Sequence, residues 1–152
     1  MLVASADRPA DPGDRETGAL SKLLDLSIPA HPEAIAAVVD AITERLERLA
    51  VPEQKRCEVG LAVQEALANA VVHGCGNDPS KQVRCQLQSD PMGRILISVA
   101  DPGPGFSPNL VPNPNSEENV YADHGRGVYL ICQLMDEVHF ESSGSEIKMW
   151  KY

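Results

Sequence analysis

The stretch that decides the fold reads EQKRCEVGLAVQEALANAVVHGCG and occupies residues 53–76. It contains no proline and closes with Gly74 and Gly76, so it predicts a helix from about Glu53 to His73. One broad apolar face follows from the helical spacing of Val59, Val63, Ala66, Leu67 and Ala70. The opposite side carries Glu58, Glu65 and Asn69, but also Leu61, Ala62, Ala68 and Val72. A surface helix would carry more charge, so the few polar residues in this stripe stand out.

The segments around this helix carry strand and helix signals in turn. The predicted strands are 23–28, 82–88, 94–100, 139–142 and 145–151, and the other helices run from 32 to about 51 and from 128 to about 138. Residues Pro102 to His124, rich in Pro, Asn and Gly, predict a lid or binding loop. Because strands joined by short turns pair antiparallel, this order predicts an α+β two-layer sandwich with its helices on one face of a mostly antiparallel sheet. A doubly wound sheet would need β-α-β alternation, which is missing.

The chain as a whole is acidic and of single-domain length. Its 152 residues carry 13 Lys and Arg against 22 Asp and Glu, a net charge of −9 at pH 7. This balance lacks the basic footprint of a nucleic-acid binder and disfavours anionic lipid, and no apolar run approaches the roughly 18 residues of a membrane-spanning helix. Residues 1–20 predict a flexible tail ahead of one domain at 21–152. Four cysteines without metal-site spacing, and no signal-peptide pattern, favour the reduced cytoplasm.

Glu65 and Asn69 are the first candidate site residues. Spaced four apart, they project together from one side of the predicted helix. A carboxylate beside a carboxamide suits one acid–base group and one oxygen ligand for a hard cation. The alternative is an ordinary polar patch on the helix surface. The apolar residues around the pair disfavour this alternative, because polar groups in a buried stripe need hydrogen-bond partners.

Two glycine-containing segments are the other candidates. Asp101 opens the turn DPGPG and shares a strand face with Ile95, Ile97 and Val99, which predicts a carboxylate at the edge of an apolar pocket; an ordinary Pro-Gly turn is the alternative. The sequence Gly125-Arg126-Gly127 stands directly before the third predicted helix. There its backbone N–H groups can bind an anion, or the glycines can form a simple hinge.

Together these features carry a family resemblance. EALANAVVHG (residues 65–74), DPGPGFSP (101–108) and HGRGVYLICQLMDEV (124–138), in that order, resemble the GHKL superfamily, whose Bergerat ATP-binding fold occurs in gyrases and histidine kinases. Within it, the chain is most similar to the bacterial anti-sigma-factor serine/threonine kinases, and the likeness spans about Leu23 to Tyr152.

The resemblance implies a role for each candidate residue. Asn69 would hold Mg²⁺, and Glu65 would be the general base. Asp101 would accept from the adenine amino group, with Gly103 and Gly105 allowing close approach. The phosphates would be cradled by Gly125, Arg126 and Gly127. His73 and Ser145 would complete the nucleotide contacts, a helix-end cap being the alternative for His73.

Two positions depart from the family pattern. Cys75 stands where many relatives have Asn, and Arg126 lies between the two glycines, whereas some kinases of the group have an arginine ahead of the first. Arg126 is nevertheless the candidate for stabilising the transferred phosphate.

The function that the resemblance implies is regulation of transcription by partner switching. The chain would use Mg-ATP to phosphorylate a serine or threonine of a STAS-domain antagonist, would bind a sigma factor or similar target, and would act as a cytoplasmic homodimer. A non-catalytic module whose ATP-ordered lid docks a partner is the rival. A histidine-kinase ATP domain is a third option, disfavoured because no helical hairpin with a phosphoacceptor histidine precedes the domain.

Overall fold

The computed structural model describes residues 19–103, 123–142 and 145–152. The elements are β1 (Ser21–Pro29), α1 (Ile35–Arg48), α2 (Glu53–Asn69), β2 (Gln82–Ser89), β3 (Ile95–Ala100), α3 (Asp123–Leu134), β4 (Glu137–Glu141) and β5 (Glu146–Lys151). A 3-10 turn at Pro32–Ala34 leads into α1, and a π-helical turn at Ala70–Gly74 continues α2. The predicted order of elements is confirmed. Of the predicted tail, residues 1–20, only 19 and 20 belong to the described part.

The five strands form one sheet in the order β1-β2-β3-β5-β4, with antiparallel pairing between every pair of neighbours. The three helices contribute their buried side chains to one common apolar cluster on the sheet. The predicted α+β two-layer sandwich is therefore confirmed. Because none of the described strands pair in parallel, the doubly wound alternative is excluded.

The central strand β3 is buried on both faces. On the helix side, Ile95, Ile97 and Val99 are at most 3% exposed and belong to the core cluster with α1 and α2 side chains. On the other face, Leu96 is flanked in register by Gln88 and Trp150, whose long side chains extend on the same side of the sheet. Because β3 is packed on both faces, the position of Asp101, which follows it directly, is well fixed.

The third helix lies earlier in the chain than its periodicity indicates. It begins at Asp123 and ends at Leu134, so the predicted start at Val128 and end at Val138 are wrong. The N–H of Asp136 already donates to the carbonyl of Trp150 at 2.9 Å, and Val138 is fully buried within β4. An apolar residue at position 138 satisfies the helical and the strand period alike, which explains the error.

No helix in the part of the chain that the structure describes is long and apolar enough to cross a membrane.

Candidate active site

Glu65 and Asn69 meet the start of α3. Both side chains are half-buried on α2, and both approach Gly127. A Cβ on Gly127 would stand 3.1 Å from Nδ2 of Asn69 and 3.2 Å from Oε2 of Glu65. The absence of a side chain at Gly127 therefore allows α3 to pack directly against the two polar groups, and the structure brings these three predicted residues together.

The glycine-rich segment is helical and does not precede the helix. Because α3 begins at Asp123, Gly125, Arg126 and Gly127 lie in its N-terminal part, which corrects the predicted hinge or loop and the predicted lid boundary at His124. The first four N–H groups of any helix lack partners within it and carry the positive end of the dipole; in α3 these reach as far as Gly125, whereas the N–H groups of Arg126 and Gly127 fall in the hydrogen-bonded part of the helix. Of Gly125 and Arg126 only the helical backbone is described.

A π-helical turn follows Asn69 directly. The α-helix that was predicted to reach His73 changes at Ala70, where the N–H of Cys75 donates to the Ala70 carbonyl, five residues back, at 2.9 Å. Such wide turns are rare and occur frequently at functional sites. Here the turn carries the chain from the Glu65–Asn69 pair to Gly74.

Asp101 lies at the other end of this turn. Its Oδ1 accepts the N–H of Gly103 at 2.8 Å, and its own N–H donates to the Ser145 carbonyl at 2.9 Å. A Cβ on Gly74 would lie 2.5 Å from both carboxylate oxygens, and one on Gly103 would overlap the Gly74 carbonyl oxygen. Burial raises the pKa of the Asp101 carboxyl above its usual range, and the hydrogen bond from Gly103 offsets part of that rise.

The structure identifies two neighbours of Asp101 that the sequence analysis did not include among the site residues. Gly74 was interpreted as the end of a helix, whereas the structure places it against the carboxylate. Cys75 is buried, and its burial and the charge of Asp101 together raise the pKa of its thiol. The Cys75 thiol is therefore protonated and inaccessible, and it lines the site without acting as a nucleophile.

The remaining predicted residues have different positions. Ser145 adjoins Asp101 through its backbone, while its Oγ donates to the Ser142 carbonyl at 2.8 Å. His73 is exposed at the end of the π-helical turn. Gly105 lies outside the described residues, as does most of the predicted lid.

The donor set suits a magnesium ion that is held mainly by a nucleotide. Within residues 19–103, 123–142 and 145–152, no three Asp, Glu, His or Cys side chains come together as a metal cage. Mg²⁺ in phosphate-transfer sites takes only one or two protein oxygens, with phosphates and water supplying the rest. The side-chain oxygen of the half-buried Asn69 is one such hard ligand, so the donor chemistry of this residue fits that requirement.

Comparison with known proteins assigns this arrangement to a family. The family model described as "Histidine kinase-like ATPase domain" matches residues 28–151. The serine-protein kinase RsbW of Bacillus velezensis is 32% identical over 139 residues, which are 85% of this chain and 84% of that protein. RsbW of Bacillus subtilis is 29% identical over 85% of this chain and 84% of its own length. The anti-sigma F factor of Oceanobacillus iheyensis is 29% identical over 78% of this chain and 83% of its own length.

A solved structure shares the fold. The crystal structure of the RsbU and RsbW domains of Rv1364c from Mycobacterium tuberculosis superposes with a TM-score of 0.56 at 18% identity, covering 85% of this chain and 32% of that one. The enzyme class that the sequence predicts, a protein serine/threonine kinase of the GHKL type, is confirmed by the curated relatives. The chain belongs to the histidine kinase-like ATPase domain family and, within it, to the RsbW-type serine-protein kinases.

Proposed function

We propose that this kinase uses Mg-ATP to phosphorylate a serine or threonine of a STAS-domain anti-sigma-factor antagonist and alternately binds a sigma factor or similar regulator. The observation that carries the proposal is the meeting of Glu65 and Asn69 with Gly127 at the start of α3, on the same helix whose end touches Asp101. One continuous stretch of chain, from Glu65 through the π-helical turn to Gly74, therefore borders both ends of the proposed site.

The adenine end of the site is Asp101. Its carboxylate accepts a hydrogen bond from the adenine amino group, while the Gly103 and Gly105 backbones admit the ring and His73 and Ser145 border it. In the structure, the half-buried carboxylate of Asp101 accepts a hydrogen bond from the Gly103 N–H. The adenine amino group gives the ionised carboxylate a second fixed donor. In Asp101→Asn the carboxamide can turn its NH₂ group, a donor, toward the adenine amino group, which is also a donor. Calorimetric titration of Mg-ATP into this variant therefore tests the assignment.

The phosphate end lies at the start of α3. The first N–H groups of α3, that of Gly125 among them, receive the phosphate oxygens at the positive end of the helix dipole, and the missing side chains of Gly125 and Gly127 let the phosphates come close to the helix. Asn69 Oδ1 is the protein ligand for Mg²⁺, which when bound neutralises phosphate charge. The guanidinium of Arg126 adds positive charge to the transferred group.

Glu65 is the general base. Its carboxylate takes the proton of the acceptor hydroxyl as that oxygen bonds to the γ-phosphorus. The bond from the γ-phosphorus to the bridging oxygen breaks at the same time, and ADP leaves with that oxygen. One proton and one phosphoryl group change place, so the step needs no further reactant.

A Glu65→Gln variant tests the proposal. The STAS-domain proteins of the source genome are purified and incubated with the kinase and γ-labelled Mg-ATP. We expect wild type to label one of them on serine or threonine, and Glu65→Gln to bind ATP normally but to label it at least 100-fold more slowly. Glu53→Gln, an exposed glutamate in the first turn of the same helix, is the matched control and should retain full activity.

The opposite result favours the rival function. A wild type that binds both Mg-ATP and a STAS-domain protein without transferring phosphate would make the chain a nucleotide-dependent docking module.

The assembly and location follow from the same proposal. The chain acts as a homodimer in the cytoplasm, where its four free cysteines stay reduced. The anti-sigma F factor among its relatives supports a sigma factor as the second partner. Co-sedimentation of purified chain with each sigma factor of the source genome, with and without Mg-ATP, tests both binding and oligomeric state.

A further inference from the structure

One face of α2 and of the π-helical turn after it carries a row of apolar residues that stay exposed in the part of the chain that the structure describes. Leu61 is 50% exposed and Val72 is 42% exposed, Cys57 is exposed, and Ala68 is half-buried. At about 100° per residue Cys57, Leu61 and Ala68 lie within about 20° of their mean direction around the axis of α2, and Val72 follows Ala68 one turn later in the π-helical turn. We call these four residues the α2 stripe. Single exposed leucines are ordinary, but an ordered apolar row is typical of an interaction surface.

Glu65 borders this stripe. The carboxylate lies about 40° from Leu61 around the axis, on the side where Glu65 and Asn69 meet Gly127. It therefore stands between the backbone of α3 on one side and the α2 stripe on the other. Leu61 is one turn before Glu65 and Val72 two turns after it, so the apolar residues flank the base along the helix.

This position decides what occupies the stripe. A hydroxyl that delivers its proton to Glu65 has to approach from solvent, because the opposite side of α2 is packed in the core through Val59, Val63 and Leu67. The chain that bears the hydroxyl then covers the neighbouring turns of α2. The exposed side chains that it meets there are those of the α2 stripe, bordered by Glu65 on one side and by the uncharged amide of Gln64 on the other.

We propose that the α2 stripe is the docking surface for the phosphoacceptor protein, and that this protein presents its serine or threonine from a surface flanked by apolar side chains. The inference rests on the proposed function, since it takes Glu65 as the base. Specificity then comes from burial of Leu61 and Val72 against the acceptor, which also excludes water from the base.

The experiment measures KM and kcat for the STAS-domain acceptor with Leu61→Lys, Val72→Lys and the milder Leu61→Ala. The matched control is Leu49→Lys. Leu49 is about as exposed as Leu61, 49% against 50%, but it lies after α1 beside Ile95 and Tyr152, at the end of β3 away from Asp101. We expect both α2 lysine variants to raise KM at least tenfold with kcat within twofold, and Leu61→Ala to raise it severalfold. Leu49→Lys should match wild type, and the affinity for Mg-ATP should be equal in all variants.

Each other outcome overturns the inference. If KM is unchanged in both lysine variants while wild type still transfers phosphate, the α2 stripe is not the docking surface, and the proposed kinase function stands. Loss of sigma-factor binding or of self-association, with KM unchanged, assigns the stripe to that other partner. If wild type labels no STAS-domain protein, the proposed function fails, and the inference fails with it. The reaction of wild type alone reveals that result.

Discussion

Gly74 lies against the carboxylate of Asp101 with no room for a side chain between them. A Cβ on Gly74 would stand 2.5 Å from each oxygen of the Asp101 carboxylate. The carbonyl oxygen of Gly74, in turn, leaves no space for a side chain on Gly103. The end of α2 and the end of β3 are thus in backbone contact, and the orientation of the carboxylate depends on that contact.

Substitution Gly74→Ala should therefore move Asp101. Because backbone and carboxylate cannot both stay in place, we expect a loss of about 1–3 kcal/mol in the free energy of unfolding and at least a tenfold loss in Mg-ATP affinity. Calorimetry and urea unfolding measure the two effects. Gly60→Ala is the control, because a Cβ there meets only side-chain atoms of Thr43 and Val39, at 3.2 and 3.7 Å. Wild-type affinity in Gly74→Ala would contradict the argument.

Stability should respond to pH through Asp101. Burial raises the pKa of this carboxyl in the folded state, so the folded chain binds its proton more tightly than the unfolded chain does. The group therefore favours folding below its unfolded pKa of about 3.9 and disfavours it once pH has risen through the folded pKa. Asp101→Asn removes this dependence. We expect the free energy of unfolding of the variant, relative to wild type, to increase between pH 3 and pH 6 in urea titrations; a decrease would show that the carboxylate is stabilised by folding.

Asn69 should control the response to magnesium. The proposed Mg²⁺ ligand is missing in Asn69→Ala, so the gain in ATP affinity on adding Mg²⁺ should fall at least tenfold, while ATP affinity in EDTA stays unchanged. Titration calorimetry in the two buffers measures the difference. Gln64→Ala removes an exposed amide from the same helix and should leave the Mg²⁺ effect intact. An equal loss of affinity in both buffers would mean that Asn69 contacts the nucleotide or supports the fold.

A methyl group at position 127 should impair catalysis without unfolding the protein. In Gly127→Ala the added Cβ would lie 3.1–3.3 Å from Asn69 and Glu65, so these side chains must shift by a few tenths of an ångström. Alanine also favours a helix by up to about 1 kcal/mol over glycine, which offsets the crowding. We expect the thermal midpoint within a few degrees of wild type and phosphoryl transfer at least tenfold slower. Transfer at the wild-type rate would show that the spacing between α3 and Glu65 is loose.

The sequence predicted those parts of the fold and site that depend on local patterns. Strand periodicity placed Asp101 on the core face after Val99, and helical spacing placed Glu65 beside Asn69. The start of α3 could not be found in this way, because its first residues are polar or glycine and show no apolar period. Gly74 escaped notice for another reason: its contact with Asp101 joins segments that are distant in sequence, which no local pattern reveals.

The hydrogen bond from the Asp101 N–H to the Ser145 carbonyl prolongs the pairing of β3 with β5 by one residue. The chain between those two residues contains α3, which packs on α2, and β4, which pairs with β5, and both of its ends are fixed by the sheet. The entropy of closing such a segment grows only with the logarithm of its length, by about 0.6 kcal/mol for each doubling. A change in the number of residues between Gly103 and Asp123 should therefore cost the sheet little free energy.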